Sequence, residues 1–188
     1  ETRGLANFET ATARADRLPF PDQSFDLVSC RLAAHHFTDP AAFVSEAARV
    51  LKPGGALALV DNVSPDAAAL PDLDRAGLRE AAVAYNLFEK LRDPSHLRAL
   101  TTTEWLEIID DAGLVMDAHQ VIRKEMAFGP WVQRMRCDDA TTARLAAMIS
   151  ATGTDDRGEL VRFLMPRRDG AETWISLREL VLVARKAA

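Results

Sequence analysis

At 188 residues the chain is long enough for one domain that buries about 70% of its unfolded surface. Its 48% hydrophobic and 27% charged content is ordinary for a soluble globular protein, and a net charge of −5 argues against a dedicated nucleic-acid binder. No apolar run reaches the ~18 residues of a membrane span, Glu1-Thr2-Arg3-Gly4 lacks the apolar core of a signal peptide, and Cys30 and Cys137 are too few for a disulfide framework, so a cytoplasmic protein without a membrane partner is expected.

Along the chain, Phe8 to Ala13 alternates loosely and reads as a short strand. Asp22-Gln23-Ser24 is turn chemistry, and Phe25 to Cys30 reads as a strand buried on both faces. Asp39 before Pro40 is a helix start, because the carboxylate can accept from free backbone N–H groups and proline fits the first helical position. Phe43, Ala47, Val50 and Leu51 then share one helical face. Lys52 suits the negative end of the helix dipole, Pro53 cannot continue the helix, and Gly54 or Gly55 can take left-handed backbone. Ala56 to Val60 follows as an apolar strand ending at Asp61-Asn62, which gives the spacing of a right-handed parallel crossover.

After Pro71, Leu78, Ala81, Ala82, Tyr85 and Phe88 share a helical face that Asp93-Pro94 breaks. Thr101 and Glu104 form a capping box ahead of Trp105, Ile108 and Ile109, and Gly113 supplies the stop. Leu114 to Met126 reads as a long strand interrupted at His119-Gln120. Short helices are expected from Pro130 to about Leu164, then a hairpin at Asp169-Gly170 and a buried closing strand from Leu180 to Ala184. Arg134 with Arg136, and Arg167 with Arg168, sit beside acidic residues and read as solvated surface. One compact domain is the expectation.

The order of Leu18-Pro19-Phe20-Pro21-Asp22, Ser24-Phe25-Asp26, His35-His36-Phe37, Asp39-Pro40, Arg49-Val50-Leu51-Lys52-Pro53-Gly54-Gly55 and Asp61 resembles the class I S-adenosylmethionine-dependent methyltransferases. Within them it is similar to the type 11 group that includes quinone-biosynthesis enzymes. The resemblance is dense over residues 14–62 and thin elsewhere, although Leu91 to His96 and Thr103-Glu104-Trp105 look like one bacterial subgroup of uncharacterised members. It implies an α/β fold: a Rossmann-like sheet with flanking helices and an antiparallel C-terminal strand, with residues 66–100 as a helical lid insertion. The family's first strands and glycine loop would lie upstream of Glu1, so the chain is expected to be part of something longer.

In this family the cofactor, S-adenosylmethionine, crosses the carboxyl ends of the parallel strands. The resemblance places Ala15, Asp16 and Leu18 against the adenine. Arg14 stands where the family often has an acidic acceptor for the adenine amino group, and a guanidinium is a donor only. Losing that charged hydrogen bond costs roughly 1.5–3 kcal/mol unless Asp16 takes over the role; Asp16 also suits the cap of the turn before Pro19. Cys30, Arg31 and His36 belong to the loop implied to line the methionine end, with Cys30 equally readable as a small buried apolar residue. His35 or His36 is the candidate general base for a hydroxyl or amine acceptor, although two adjacent side chains are not expected to face the site together, and either may instead pack to fix the loop. The pair has no metal-ligand spacing with other residues. Asp61 and Asn62, at the next strand end, either face the substrate or cap the following turn. Arg92 and His96, flanking Pro94, are the candidates for a polar acceptor.

The expected activity is methyl transfer to a small-molecule acceptor, with no nucleic acid involved. A second reading keeps the scaffold as a non-catalytic binding or assembly module, supported by Arg14 and by the missing upstream half. A dinucleotide-dependent oxidoreductase is disfavoured by the Lys-Pro-Gly-Gly run and the closing hairpin. With the family's first strand absent, the strand at Phe25 has a bare edge, which invites pairing with another chain, a homodimer being the simplest case.

Overall fold

In the computed structural model, which describes residue 7 and residues 9–150 and 158–188, Asp39 accepts from the Ala42 amide at 2.9 Å and Pro40 opens helix α1 (Pro40–Val50). This helix joins two parallel strands, β1 (Phe25–Arg31) and β2 (Leu51–Asn62), as the crossover pattern predicts. The Lys-Pro-Gly-Gly run lies inside β2 rather than before it. Phe25 pairs with Leu51 but Leu27 pairs with Ala56, so the run is extruded as a bulge. Gly54 takes the left-handed conformation there, at φ +75°, while Gly55 is held by crowding: a Cβ would sit 2.9 Å from the Lys52 carbonyl oxygen and 3.2 Å from that of Asp26.

Three further strands complete the sheet: β3 (Leu114–Ala127), β4 (Arg167–Asp169) and β5 (Glu172–Lys186). Their order is β1-β2-β5-β3, with β4 also on β5, and β5 is antiparallel to each of its three neighbours. The predicted hairpin forms at Gly170, and its second arm runs far beyond the predicted Leu180–Ala184. Along β5 the side chains alternate between two cores. Leu180, Leu182 and Ala184 join Leu57, Leu59, α1 and α3 (Thr102–Asp111) on one face. Ile175 and Leu177 join α2 (Arg75–Arg92), α4 (Phe128–Gln133), α5 (Asp139–Ile149) and α6 (Glu159–Leu164) on the other. Ala81, Tyr85 and Phe88 of the predicted stripe are buried in this second core, and Phe88 stacks on Trp131 at 5.2 Å. The Thr101–Glu104 capping box forms in full.

Three expectations are corrected. Residues 9–13 form no strand, and Phe8 lies outside the described residues. β1 is not buried on both faces: among the described residues it pairs with β2 alone, and Leu27 is 58% exposed because no described element covers the face it points to. β3 runs unbroken through His119-Gln120, since it forms the opposite edge of the sheet and polar residues there face solvent.

The two glycines of the bulge should respond differently to the same change. Gly54→Asn is expected to cost well under 1 kcal/mol because asparagine tolerates left-handed backbone, whereas Gly55→Asn should cost about 1–3 kcal/mol by overpacking against backbone carbonyls that cannot yield. Urea unfolding midpoints of the two variants measure the difference.

Candidate active site

Asp61 and Asn62 end β2 and, as neighbours in a strand, point to opposite faces. Asp61 is fully buried on the α1 side beneath a single 3-10 turn at Ala34–His36. Its carboxylate accepts three N–H groups: the His35 amide at 2.8 Å, the Asn62 amide at 2.8 Å, and the His35 ring Nδ1. A carboxylate in this setting only accepts, so Nδ1 carries the hydrogen and the tautomer and tilt of the ring are set from below. The turn is entered through Leu32, whose φ of +50° reverses the chain directly after β1 and whose amide is tied to the Val60 carbonyl at 2.8 Å.

The His35 and His36 rings lie 4.1 Å apart between centroids, and both line one cavity. The expectation that only one could face the site assumed an extended loop. In a 3-10 turn consecutive side chains diverge by about 120°, and both reach the same opening. His36 Nδ1 meets Ser95 Oγ at 3.2 Å, and that hydroxyl donates in turn to Asp93 at 2.6 Å. The serine proton is therefore committed, His36 donates through Nδ1, and its Nε2 is free to accept. Although burial acts to raise the Asp93 carboxyl, the Ser95 hydroxyl and amide hold it below its ordinary range.

His96 does not face the cavity. It is 1% exposed, its ring centroid lies 5.4 Å from that of His35, and its Nε2 meets Asn86 Oδ1 at 2.9 Å. Asn86 Oδ1 also accepts the Ala99 amide at 2.7 Å, which fixes the amide orientation and makes His96 Nε2 the donor. Burial, then the neighbouring His35 and His36, push the His96 imidazole down to about 4, so it sits neutral behind the site. The same segment is tied to the histidine turn by its backbone: the His35 carbonyl accepts from both Leu97 and Arg98 at 3.0 Å.

The cavity under the two histidines has a volume of about 440 Å³, within the range of small-molecule sites. Asn62 and Glu179 face it from paired positions on β2 and β5, Lys124 and Met126 from β3, Arg92 from α2, and Trp131 and Arg134 from the far side. Arg92 lies 4.3 Å over the Trp131 ring and pairs with Glu89 at 3.2 Å. A second, smaller cavity of about 220 Å³ opens at the carboxyl end of β1, lined by Arg14, Ala15, Asp16, Phe37, Thr38 and Asp39. His36 lines both.

The candidates named from sequence therefore separate. Arg14, Ala15, Asp16 and His36 meet at the smaller cavity, while Arg31, His35, His36, Asn62 and Arg92 meet at the larger. Arg14 pairs with Asp16 and holds its carboxyl below the usual range. Leu18 lies apart from both cavities, its amide taken by Glu46 at 2.6 Å. Glu46, itself held at about 2 by Arg49, clamps the whole Leu-Pro-Phe turn, since Arg49 also reaches Asp22 and the Leu18 carbonyl. Cys30 packs against the first core, where burial and then Asp61 push its thiol up to about 11. Asp61 lines neither cavity; it positions His35. Sequence reasoning missed Asp93, Ser95, Lys124, Trp131 and Glu179; Arg134, read as solvated surface from the acidic residues nearby, is exposed and also lines the larger cavity.

Comparison with known proteins points to one family. The family described as "Methyltransferase domain" matches residues 1–59. The chain is 34% identical over 157 residues to the uncharacterised protein YafE of Escherichia coli K12, covering 84% of this chain and 70% of that one. It is 34% identical over 134 residues to the uncharacterised methyltransferase YcgJ of Bacillus subtilis 168, covering 71% of this chain and 49% of the relative. A crystal structure of a Bacillus halodurans C-125 protein assigned to the methyltransferases superposes with a TM-score of 0.81 at 33% identity, covering 96% of this chain and 78% of that chain.

Two outcomes follow from the buried polar groups. Asp61→Ala strands three donors and is expected to destabilise the fold by about 3 kcal/mol or more, read from urea unfolding. His96 is neutral in the fold but takes up a proton near its ordinary 6.5 when unfolded, so its contribution is complete above about pH 6.5 and is lost as pH falls toward 4. His96→Gln should therefore show a smaller drop in stability between pH 7 and pH 5 than the parent chain.

Proposed function

The chain belongs to the S-adenosylmethionine-dependent methyltransferases, and on that premise we propose that it methylates a small-molecule acceptor bound in the larger cavity, with the cofactor's methyl end reaching it past His36. The observation that carries this reading is that His36 borders both cavities. The described residues fit the adenine end of the cofactor. Asp16 offers a carboxylate, with lone pairs beyond those used by Arg14, to an exocyclic amino group, and Ala15 and Phe37 offer apolar contact at a strand's carboxyl end. At about 220 Å³ the smaller cavity is matched to one part of the cofactor rather than the whole.

S-adenosylmethionine supplies a sulfonium methyl group, and the C–S electron pair stays on sulfur when the methyl leaves. The chain's own work is alignment, exclusion of water and proton removal. His36 Nε2 takes the acceptor proton while Nδ1–H stays on Ser95, so the ring is oriented before the proton arrives. His35, fixed by Asp61, forms the wall against which His36 packs. Residues 66–100, which include α2, act as the lid over the acceptor. We assign the reaction to the cytoplasm, without nucleic-acid or membrane partners; no helix among the described residues is long and apolar enough to cross a membrane. The open edge of β1 favours a homodimer as the working assembly.

Isothermal titration of the full protein with S-adenosylhomocysteine should give saturable heat, and no heat at high micromolar ligand would overturn the proposal. Asp16→Asn is expected to weaken that binding about tenfold, the loss of one charged hydrogen bond. His36→Ala should weaken that binding less than Asp16→Asn does while lowering transfer of a tritiated methyl group into the small-molecule fraction of a cell extract by about a hundredfold.

A further inference from the structure

The charges lining the larger cavity do not balance. Six ionisable side chains other than histidine face it: Arg31, Arg92, Lys124 and Arg134 against Asp93 and Glu179. Lys124 is neutralised by Glu179 at 2.6 Å, and Arg92 is paired outside the cavity lining with Glu89. Asp93 is engaged by Ser95. Arg31 and Arg134 have no carboxylate partner among the described residues, and they enter from unrelated elements, the end of β1 and the end of α4. A second observation points the same way. The Nε of Arg92 is buried and has no hydrogen-bond partner among the described residues, although its guanidinium lies over Trp131. Buried donors are rarely left unpaired in folded proteins, so this guanidinium keeps donor capacity that the described residues do not use. Apolar surface lies beside these cations, from the half-buried Leu32 and Met126.

We propose that the acceptor is an anionic small molecule, carrying a carboxylate or a phosphate that Arg31 and Arg134 bind and an apolar body that rests against Leu32 and Met126. Guanidinium groups pair with both kinds of anion through two parallel N–H donors, which makes the anion a handle for orientation as well as affinity. The identification of this ligand as the methyl acceptor rests on the methyl-transfer reading above; the anion site itself rests on the cavity alone.

The test uses the full protein saturated with S-adenosylhomocysteine and four probes followed by calorimetry: benzoate, its neutral counterpart benzamide, phenyl phosphate and inorganic phosphate. Benzoate or phenyl phosphate should bind at least tenfold more tightly than benzamide, and whichever of the two binds better identifies the anion as carboxylate or phosphate. Inorganic phosphate, which lacks the apolar body, should bind more weakly than phenyl phosphate. The double variant Arg31→Gln/Arg134→Gln should lose the preference for the anion while keeping its urea midpoint, and Arg134→Gln alone should weaken that preference while keeping the S-adenosylhomocysteine affinity; both arginines are exposed, so the fold does not depend on them. Benzamide binding as tightly as benzoate, an anion preference that survives the double variant, or no saturable binding of either organic anion would each overturn the proposal. Loss of S-adenosylhomocysteine binding in the parent protein would instead overturn the methyl-transfer reading, and the same titrations without it would still judge the anion site.

Discussion

The period-two alternation of β5 positions everything else in this chain. Even-numbered residues from Leu180 to Ala184 pack toward α1 and α3, while Ile175 and Leu177 pack toward α2 and α4. One strand therefore supplies the floor of two hydrophobic cores, and its pairing with β2 fixes which residue at the end of β2 meets which core. Asp61, opposite Leu180, falls on the first face, and Asn62, opposite Glu179, falls on the second. A slip of one residue would exchange them. It would carry the Asp61 carboxylate into the larger cavity and leave the histidine turn without its anchor.

That division explains why the site has two histidines with different duties. His35 is immobilised from the Asp61 side, through its ring and its amide together. His36, one residue on, is braced more loosely through Ser95, an exposed side chain, and keeps one nitrogen for the cavity. The rigid ring backs the working one. The arrangement needs a short 3-10 turn, and Leu32 provides the reversal that starts it. On the cofactor side, the Glu46–Arg49 clamp holds the Leu-Pro-Phe turn against α1. That clamp is a structural reason for acidic and basic residues inside a helix otherwise read for its apolar face.

Local rules in the sequence reached a long way into this structure. Asp39-Pro40, Thr101 with Glu104, Gly113 and Asp169-Gly170 each mark a boundary that the fold honours, because a cap or a turn is decided by neighbours in the chain. Properties that depend on distant partners were less legible. Exposure of β1 is set by which strands flank it, and Leu27 carries no trace of that. His96 and Arg92 looked equivalent on either side of Pro94, yet Asn86 and Ala99 enclose one while Trp131 holds the other at the cavity wall. Glu179 and Lys124 are 55 positions apart, and only the register of β3 on β5 makes them a pair. Arg134 had polar neighbours in sequence and a cavity beside it in space.

The double acceptance of Leu97 and Arg98 by the His35 carbonyl has a mechanical consequence. The segment that follows α2 is fastened to the turn bearing both histidines, and Lys90 fastens it again by donating to the Pro94 and His96 carbonyls at 2.7 Å. Displacement of the C-terminal end of α2 is thus transmitted to the histidine rings without slack. The helix end and the turn are thereby one mechanical piece, so the α2 wall of the larger cavity and its histidine wall keep their spacing together.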